Sequence, residues 1–224
     1  MNNALITPEV LVNSVIAVPP LARDEDLKVC PIENAKIMRH LEAGGVRTLL
    51  YGGNAMFYHI GLGEYAETLA MLQDHAGGDT TVVPSVGPAY GTSMDQAAIL
   101  RGFDFPTAMV LPARDIATPA GCATGVRKLA EAYGKPIVLY IKFEEYLEPK
   151  DAKSLVEDGI VTGSSTPLCV RIPDRMITCP NWLIAWTGQL SLAGLASNRQ
   201  LRTSTVLACK VLPVAACVWR RTFP

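Results

Sequence analysis

The sequence predicts an α/β protein built on a parallel sheet, followed by a segment of different character. Three observations carry this reading. Short continuous apolar runs begin near residues 12, 48, 80, 107, 136 and 160, spaced 24–36 residues apart, as expected of parallel strands buried on both faces. Helical periodicity fills the intervals, which implies right-handed strand–helix–strand units. Near residue 163 the composition breaks: 20 of the 21 acidic residues lie before it, and 164–224 carries one, Asp174, against seven basic residues.

The elements follow in order. Val12–Leu21 (VNSVIAVPPL) reads as a first strand, stopped by Pro19-Pro20. Ile32, Ala35, Ile37, Met38 and Leu41 recur at helical spacing in a helix over Ile32–Ala43, and Gly44-Gly45 is a plausible stop. Thr48–Tyr51 is a second strand, followed by the loop Gly52-Gly53-Asn54. A helix over Glu64–Ala76, with Tyr65, Leu69, Leu72 and Ala76 on one side, leads to a strand over Thr80–Val86. A helix over Asp95–Phe103 precedes a strand over Thr107–Leu111. Pro119–Tyr133 is a helix with Gly134 just past its end, and Pro136–Phe143 is a fifth strand. Pro149–Glu157 is a fifth helix, and Gly159–Thr162 opens a sixth strand.

Two architectures fit this rhythm: an open doubly wound sheet and a closed eight-stranded barrel. No G-x-G-x-x-G follows the first strand, so a dinucleotide site has little support. A barrel needs about 250 residues, and this chain shows five and a half units before the pattern is lost.

Composition excludes several classes. At 224 residues the chain suits one domain, or one domain plus an appendage. The net charge of −1 conceals −7 up to residue 163 and +6 beyond it. The basic residues of the tail form no cluster, which argues against nucleic acid as a partner. The most apolar stretch, Thr203–Trp219, is interrupted by Lys210 and Pro213, so no run reaches the ~18 residues of a membrane span. Met1-Asn2-Asn3-Ala4 lacks a signal-peptide pattern. A soluble, cytoplasmic protein is expected, and Cys30 and Cys122 fit reduced thiols. The tail cysteines, Cys169, Cys179, Cys209 and Cys217, match no zinc spacing, and His40, His59 and His75 form no metal motif. No metal is expected.

In a barrel, chemistry sits at the C-terminal strand ends. Those ends offer Gly52-Gly53-Asn54, Pro88-Ala89-Tyr90, Pro112-Ala113-Arg114, and Tyr140 with Lys142. Alternation puts Tyr140 and Lys142 on one face of their strand. A glycine pair lets backbone approach a ligand and presents N–H groups to an anion, although a plain tight turn accounts for Gly52-Gly53 as well. Tyr140 reads equally as a core tyrosine, Lys142 as a solvated strand-end lysine and Arg114 as a loop arginine.

Four segments then carry a resemblance: the early V-I-A-V-P-P-L strand, the glycine loop after the second strand, Pro119-Ala120-Gly121 opening the fourth helix, and G-K-P-I-V-L-Y on the fifth strand. In this order, residues 12–163 resemble the dihydrodipicolinate synthase / N-acetylneuraminate lyase family. These are barrel lyases that act on 2-oxo acids through a lysine Schiff base. The resemblance implies a TIM-type (β/α)8 barrel, here incomplete, with about five βα units and part of strand six over 1–163. It implies Tyr140 as the proton-relay tyrosine, and Gly52, Gly53 and Asn54 as the loop holding the substrate carboxylate. Arg114 is available to pair with a further carboxylate of the substrate. The resemblance implies no organic cofactor, a small 2-oxo acid substrate, and a homo-oligomeric parent. The family's G-T-T-G-E loop is here Gly52-Gly53-Asn54-Ala55-Met56, and its active-site tyrosine pair is replaced by Ala113-Arg114, which marks a divergent branch.

The family's Schiff-base lysine belongs to a G-I-K pattern on strand six. Here the chain reads Val161-Thr162-Gly163-Ser164-Ser165-Thr166-Pro167, without lysine. Ser164–Val170 can be encoded TCA AGT ACG CCG TTG TGC GTN, and reading from the third base gives K-Y-A-V-V-R. The same shift through Ile172–Thr187, Gly194–Leu201 and Ala216–Arg221 can give family-like acidic, strand and loop segments. A frameshift after about residue 163 is therefore expected, with the lost lysine near Ser165, the residues 164–224 an aberrant tail, and the chain catalytically defective. Two alternatives stand beside it: Lys142 serves as substitute amine, or 164–224 is an interaction module anchored by Trp182, Trp186 and Trp219.

Overall fold

The computed structural model describes residues 1–4, 6, 15–114, 117–143 and 145–165. Residues 166–224, which hold most of the expected aberrant tail and of the alternative interaction module, lie outside these residues. Strands β1 (Ile16–Ala17), β2 (Thr48–Tyr51), β3 (Thr81–Val86), β4 (Met109–Val110), β5 (Ile137–Tyr140) and β6 (Val161–Ser165) alternate with helices. The helices are α1 (Pro31–Ala43), α2 (Leu62–His75), α3 (Tyr90–Leu100), α4 (Pro119–Tyr133) and α5 (Pro149–Glu157). The six strands pair in sequence order, all parallel. Right-handed crossovers between sequential neighbours place every helix on the same side of the sheet. The result is a partial TIM-type barrel, with strands inside and helices outside.

Register fixes which residues share a face. Thr48, Leu50 and Gly52 alternate along β2 beside Thr81, Val83 and Ser85 of β3. Ser85 pairs with Met109, Met109 with Val138, and Tyr140 follows two residues on. These residues line the inner face. Leu49 and Tyr51 point the other way, toward α2. The Tyr51 ring lies 6.3 Å from Phe57, whose ring lies 6.2 Å from Tyr65 of α2. The β2 run is buried at every position, as a strand covered on both faces must be.

The helices form where apolar spacing and end signals agree. Ala35, Met38 and Leu41 bury one side of α1, and Tyr65, Thr68, Leu69 and Leu72 one side of α2. In α4, Pro119 occupies the first turn and the Thr118 hydroxyl accepts the Gly121 N–H at 3.1 Å. Asn34, fully buried, donates to the carbonyls of Ala22 and Cys30 and accepts the Ala22 N–H, which fastens the loop after β1 to α1.

Several boundaries differ from the expectation, among them the fourth strand, confined to Met109–Val110, and the sixth, which starts at Val161. The first strand is confined to Ile16–Ala17 within the described residues, because its pairing with Thr48 and Leu49 ends there. The third helix starts at Tyr90 rather than Asp95 and ends at Leu100 rather than Phe103. Tertiary contact overrides weak local propensity in its first turn: Gln96, Ala97 and Leu100 are buried, and the Ser93 hydroxyl donates to the Tyr90 carbonyl. The fifth strand stops at Tyr140 instead of Phe143, since its last partner is Ser165.

Gln96 also reaches β3's exit. Its side-chain oxygen accepts the buried Gly87 N–H at 2.7 Å. Gly87 has φ +96°, and a side chain there would stand 3.2 Å from the Leu111 carbonyl oxygen, so only glycine fits without strain. Gln96→Leu strands that N–H, and a cost of about 1–3 kcal/mol is expected. Urea unfolding reads this as a lower midpoint at unchanged slope.

Candidate functional site

Parallel strands bring their C-terminal ends to one rim, and four segments leave it. After β2 the chain makes two short 3-10 turns, Gly53–Ala55 and Phe57–His59. Gly52 is buried. A side chain at Gly52 would meet Met109 at 2.7 Å, Leu50 at 3.2 Å and the Ser85 hydroxyl at 3.3 Å. The absence of a side chain there is accounted for by packing against the inner face. Gly53 and Asn54 open the first turn, where no acceptor inside the turn is available for their N–H groups. The Asn54 amide donates to the Val18 carbonyl at 3.3 Å, tying the loop to the exit of β1.

Tyr58, in the second turn, was not picked out by the sequence. It sits between the glycine loop and the end of β5. A carbon added to Gly53 would lie 3.6 Å from its ring. The Lys142 ammonium stands over the same ring, 5.4 Å from its centroid, a setting that attracts a cation. Burial, reinforced by Tyr140, pushes the Tyr58 phenol up to about 12. Burial likewise raises Tyr140 and Tyr146, the latter reinforced by Cys122 and Tyr58. The rim therefore holds a cluster of neutral phenols.

Two adjoining clefts occupy the rim. The smaller, about 210 Å³, is lined by Tyr58, Pro112, Arg114, Lys142 and Phe143. The larger, about 410 Å³, shares Arg114 and Phe143 and adds Cys122, Glu145 and Tyr146. Thus Arg114 from the β4 exit and Lys142 from the β5 exit meet in one cleft, and Tyr58 links them to Gly53 and Tyr140. The half-buried Cys122 thiol is pushed up by burial, which disfavours the reactive thiolate. Among the described residues no group of three or more His, Cys, Asp or Glu is placed to hold a metal ion. No helix of the described residues is long and apolar enough to cross a membrane.

Position 165 completes the rim. β6 pairs with β5 so that Ser165 is the register partner of Tyr140. The step from Ile137↔Val161 to Val138↔Gly163 contains one extra residue, Thr162, on β6, which is a β-bulge.

Comparison with known proteins gives one consistent result. No protein-family model and no curated protein sequence matches the chain. Solved structures do. Dihydrodipicolinate synthase from Bacillus clausii is similar at 19% identity and TM-score 0.64, over 75% of this chain and 55% of that one. The chain carries the fold of these barrel enzymes. YagE, an E. coli prophage protein of the dihydrodipicolinic acid synthase family solved with pyruvate, matches at 17% identity and TM-score 0.64, over 71% of this chain and 56% of its own. A 2-keto-3-deoxygluconate aldolase variant from Sulfolobus solfataricus, also with pyruvate, matches at 18% identity and TM-score 0.57, over 67% and 52%. The chain spans about half the length of these structures.

The phenols set a pH limit on stability. In the unfolded chain they ionise near pH 10. In the folded chain Tyr58 holds its proton to about 12, and Tyr51, Tyr65, Tyr133, Tyr140 and Tyr146 are raised as well. The folded state then binds more protons above pH 10, so stability falls as pH rises from there. Thermal melts between pH 8 and 11 are expected to hold level at first and then drop, and Tyr58→Phe softens the drop.

Proposed function

We propose that residues 16–165 are the front of a lyase that acts on pyruvate-like 2-oxo acids through a lysine Schiff base, and that this chain lacks the amine. The observation that carries the proposal is the pairing of Tyr140 with position 165. The residue expected to relay the proton and the position where the shifted reading frame encodes lysine are cross-strand partners at the rim. The likeness to solved pyruvate-bound barrels of this fold supports the same reading.

In the parent reaction a neutral lysine amine at 165 attacks the ketone carbon. Water leaves, and the protonated imine accepts the electron pair released when a carbon–carbon bond breaks. Tyr140, a phenol held neutral by burial, moves the proton between the reacting oxygen and solvent. The N–H groups of Gly53 and Asn54 bind the substrate carboxylate, and Arg114 reads the far end of the ligand. With Ser165 in place of lysine no imine forms, and the chain is inactive. A change of reading frame after about residue 163 accounts for the loss, and for the scarcity of acidic residues in 164–224.

A second reading, in which Lys142 is the substitute amine, has one observation in its favour: Lys142 lines the cleft beside Arg114 and Tyr58. Borohydride trapping with pyruvate, read by intact mass, separates the two. The first reading expects no adduct on this chain and an adduct on Ser165→Lys. An adduct on the unaltered chain that vanishes in Lys142→Ala establishes the second. No adduct on any of the three, with folding intact by circular dichroism, overturns both.

A further inference from the structure

The smaller cleft contains two cations, Arg114, read above as meeting the far end of the ligand, and Lys142. Arg114 and Lys142 enter it from successive strand exits, β4 and β5, and share it with Tyr58, Pro112 and Phe143. Most other basic side chains with a placed partner hold a carboxylate: Arg23 with Glu64, Lys36 with Glu33, Arg127 with Asp158, Lys128 with Glu131. Neither Arg114 nor Lys142 is in an ion pair among the described residues. Lys142 is held instead over the Tyr58 ring.

Apolar walls beside two cations that have no ion-pair partner among the described residues concentrate positive potential in a small space. A guanidinium offers two parallel N–H donors to a carboxylate, and an ammonium adds a point charge from the side. We infer that this cleft reads a second acidic group on the ligand, so that the substrate class is a short 2-oxo dicarboxylate rather than a 2-oxo monoacid. The inference rests on the 2-oxo acid reading of the rim. The α-carboxylate takes the Gly53–Asn54 turn, the ketone lies toward position 165, and the distal carboxylate reaches Arg114 and Lys142. Tyr58 separates the two anion positions and is a positioning residue: its ring carries the ammonium on one side and abuts Gly53 on the other.

Calorimetric titration of the full chain with pyruvate, 2-oxoglutarate and glutarate at about 0.1 M salt tests this. The expected result is 2-oxoglutarate binding at least about tenfold tighter than pyruvate, one charge-assisted contact being worth that factor or more. Arg114→Met and Lys142→Met each remove most of that advantage, whereas Lys36→Met, on α1, leaves it intact. Equal affinity for pyruvate and 2-oxoglutarate overturns the inference alone. An advantage that survives both cleft substitutions also overturns it. Glutarate binding as tightly as 2-oxoglutarate upholds the dicarboxylate cleft and removes the 2-oxo reading. Inorganic phosphate displacing 2-oxoglutarate at equal concentration overturns the choice of carboxylate as the distal group. Circular dichroism melts of the three variants separate lost folding from lost recognition.

Discussion

One extra residue in the sixth strand determines what stands beside Tyr140. Without the bulge at Thr162, the pairing that starts at Ile137↔Val161 would set Tyr140 opposite Ser164. With it, the partner is Ser165. Side chains alternate with period two, so a slip of one residue exchanges the inner and outer faces. The bulge therefore sets which backbone position of β6 pairs with Tyr140, at the end of the sheet where barrel chemistry takes place. Everything proposed for the rim depends on that selection.

The rest of the rim is organised by burial rather than by ion pairs. Tyr58, Tyr140 and Tyr146 are uncharged because desolvation disfavours phenolate. They surround a cleft whose formal charges are Arg114 and Lys142 on one side and Glu145 in the adjoining space. Neutral phenols can pass protons without adding negative charge that would repel an acid ligand. The inner face beneath is closed by packing at Gly52, where Met109, Leu50 and Ser85 leave no room for a side chain. This floor separates the rim from the hydrophobic interior and keeps the glycine turn at the surface.

Much of this was legible in the sequence, for identifiable reasons. Thr48–Tyr51, Pro119–Tyr133 and Pro149–Glu157 fall where expected. The first is a pure apolar run between polar flanks, and each helix begins with a proline. The start of α3 was not legible, because Tyr90-Gly91-Thr92-Ser93 resembles a turn and its helix is held by contacts from Gln96 and Leu100 to distant residues. Tyr58 was missed because two consecutive 3-10 turns have no hydrophobic period to reveal which side chain faces the cleft. Tyr140, Lys142 and Arg114 were readable as strand-end residues, since parallel topology alone sends them to one rim. The bulge had no signal at all: it is a property of pairing between two strands, not of either strand's residues.

The central claim is that the position beside Tyr140 belongs to a lysine displaced by a change of reading frame. The direct measurement is the nucleotide sequence of codons 155–224, read from both strands of the source DNA. The account predicts that one added or missing base near codon 163 restores lysine at about position 165, followed by Y-A-V-V-R. An open frame as it stands, with codons that cannot encode that string in any shifted reading, would contradict it.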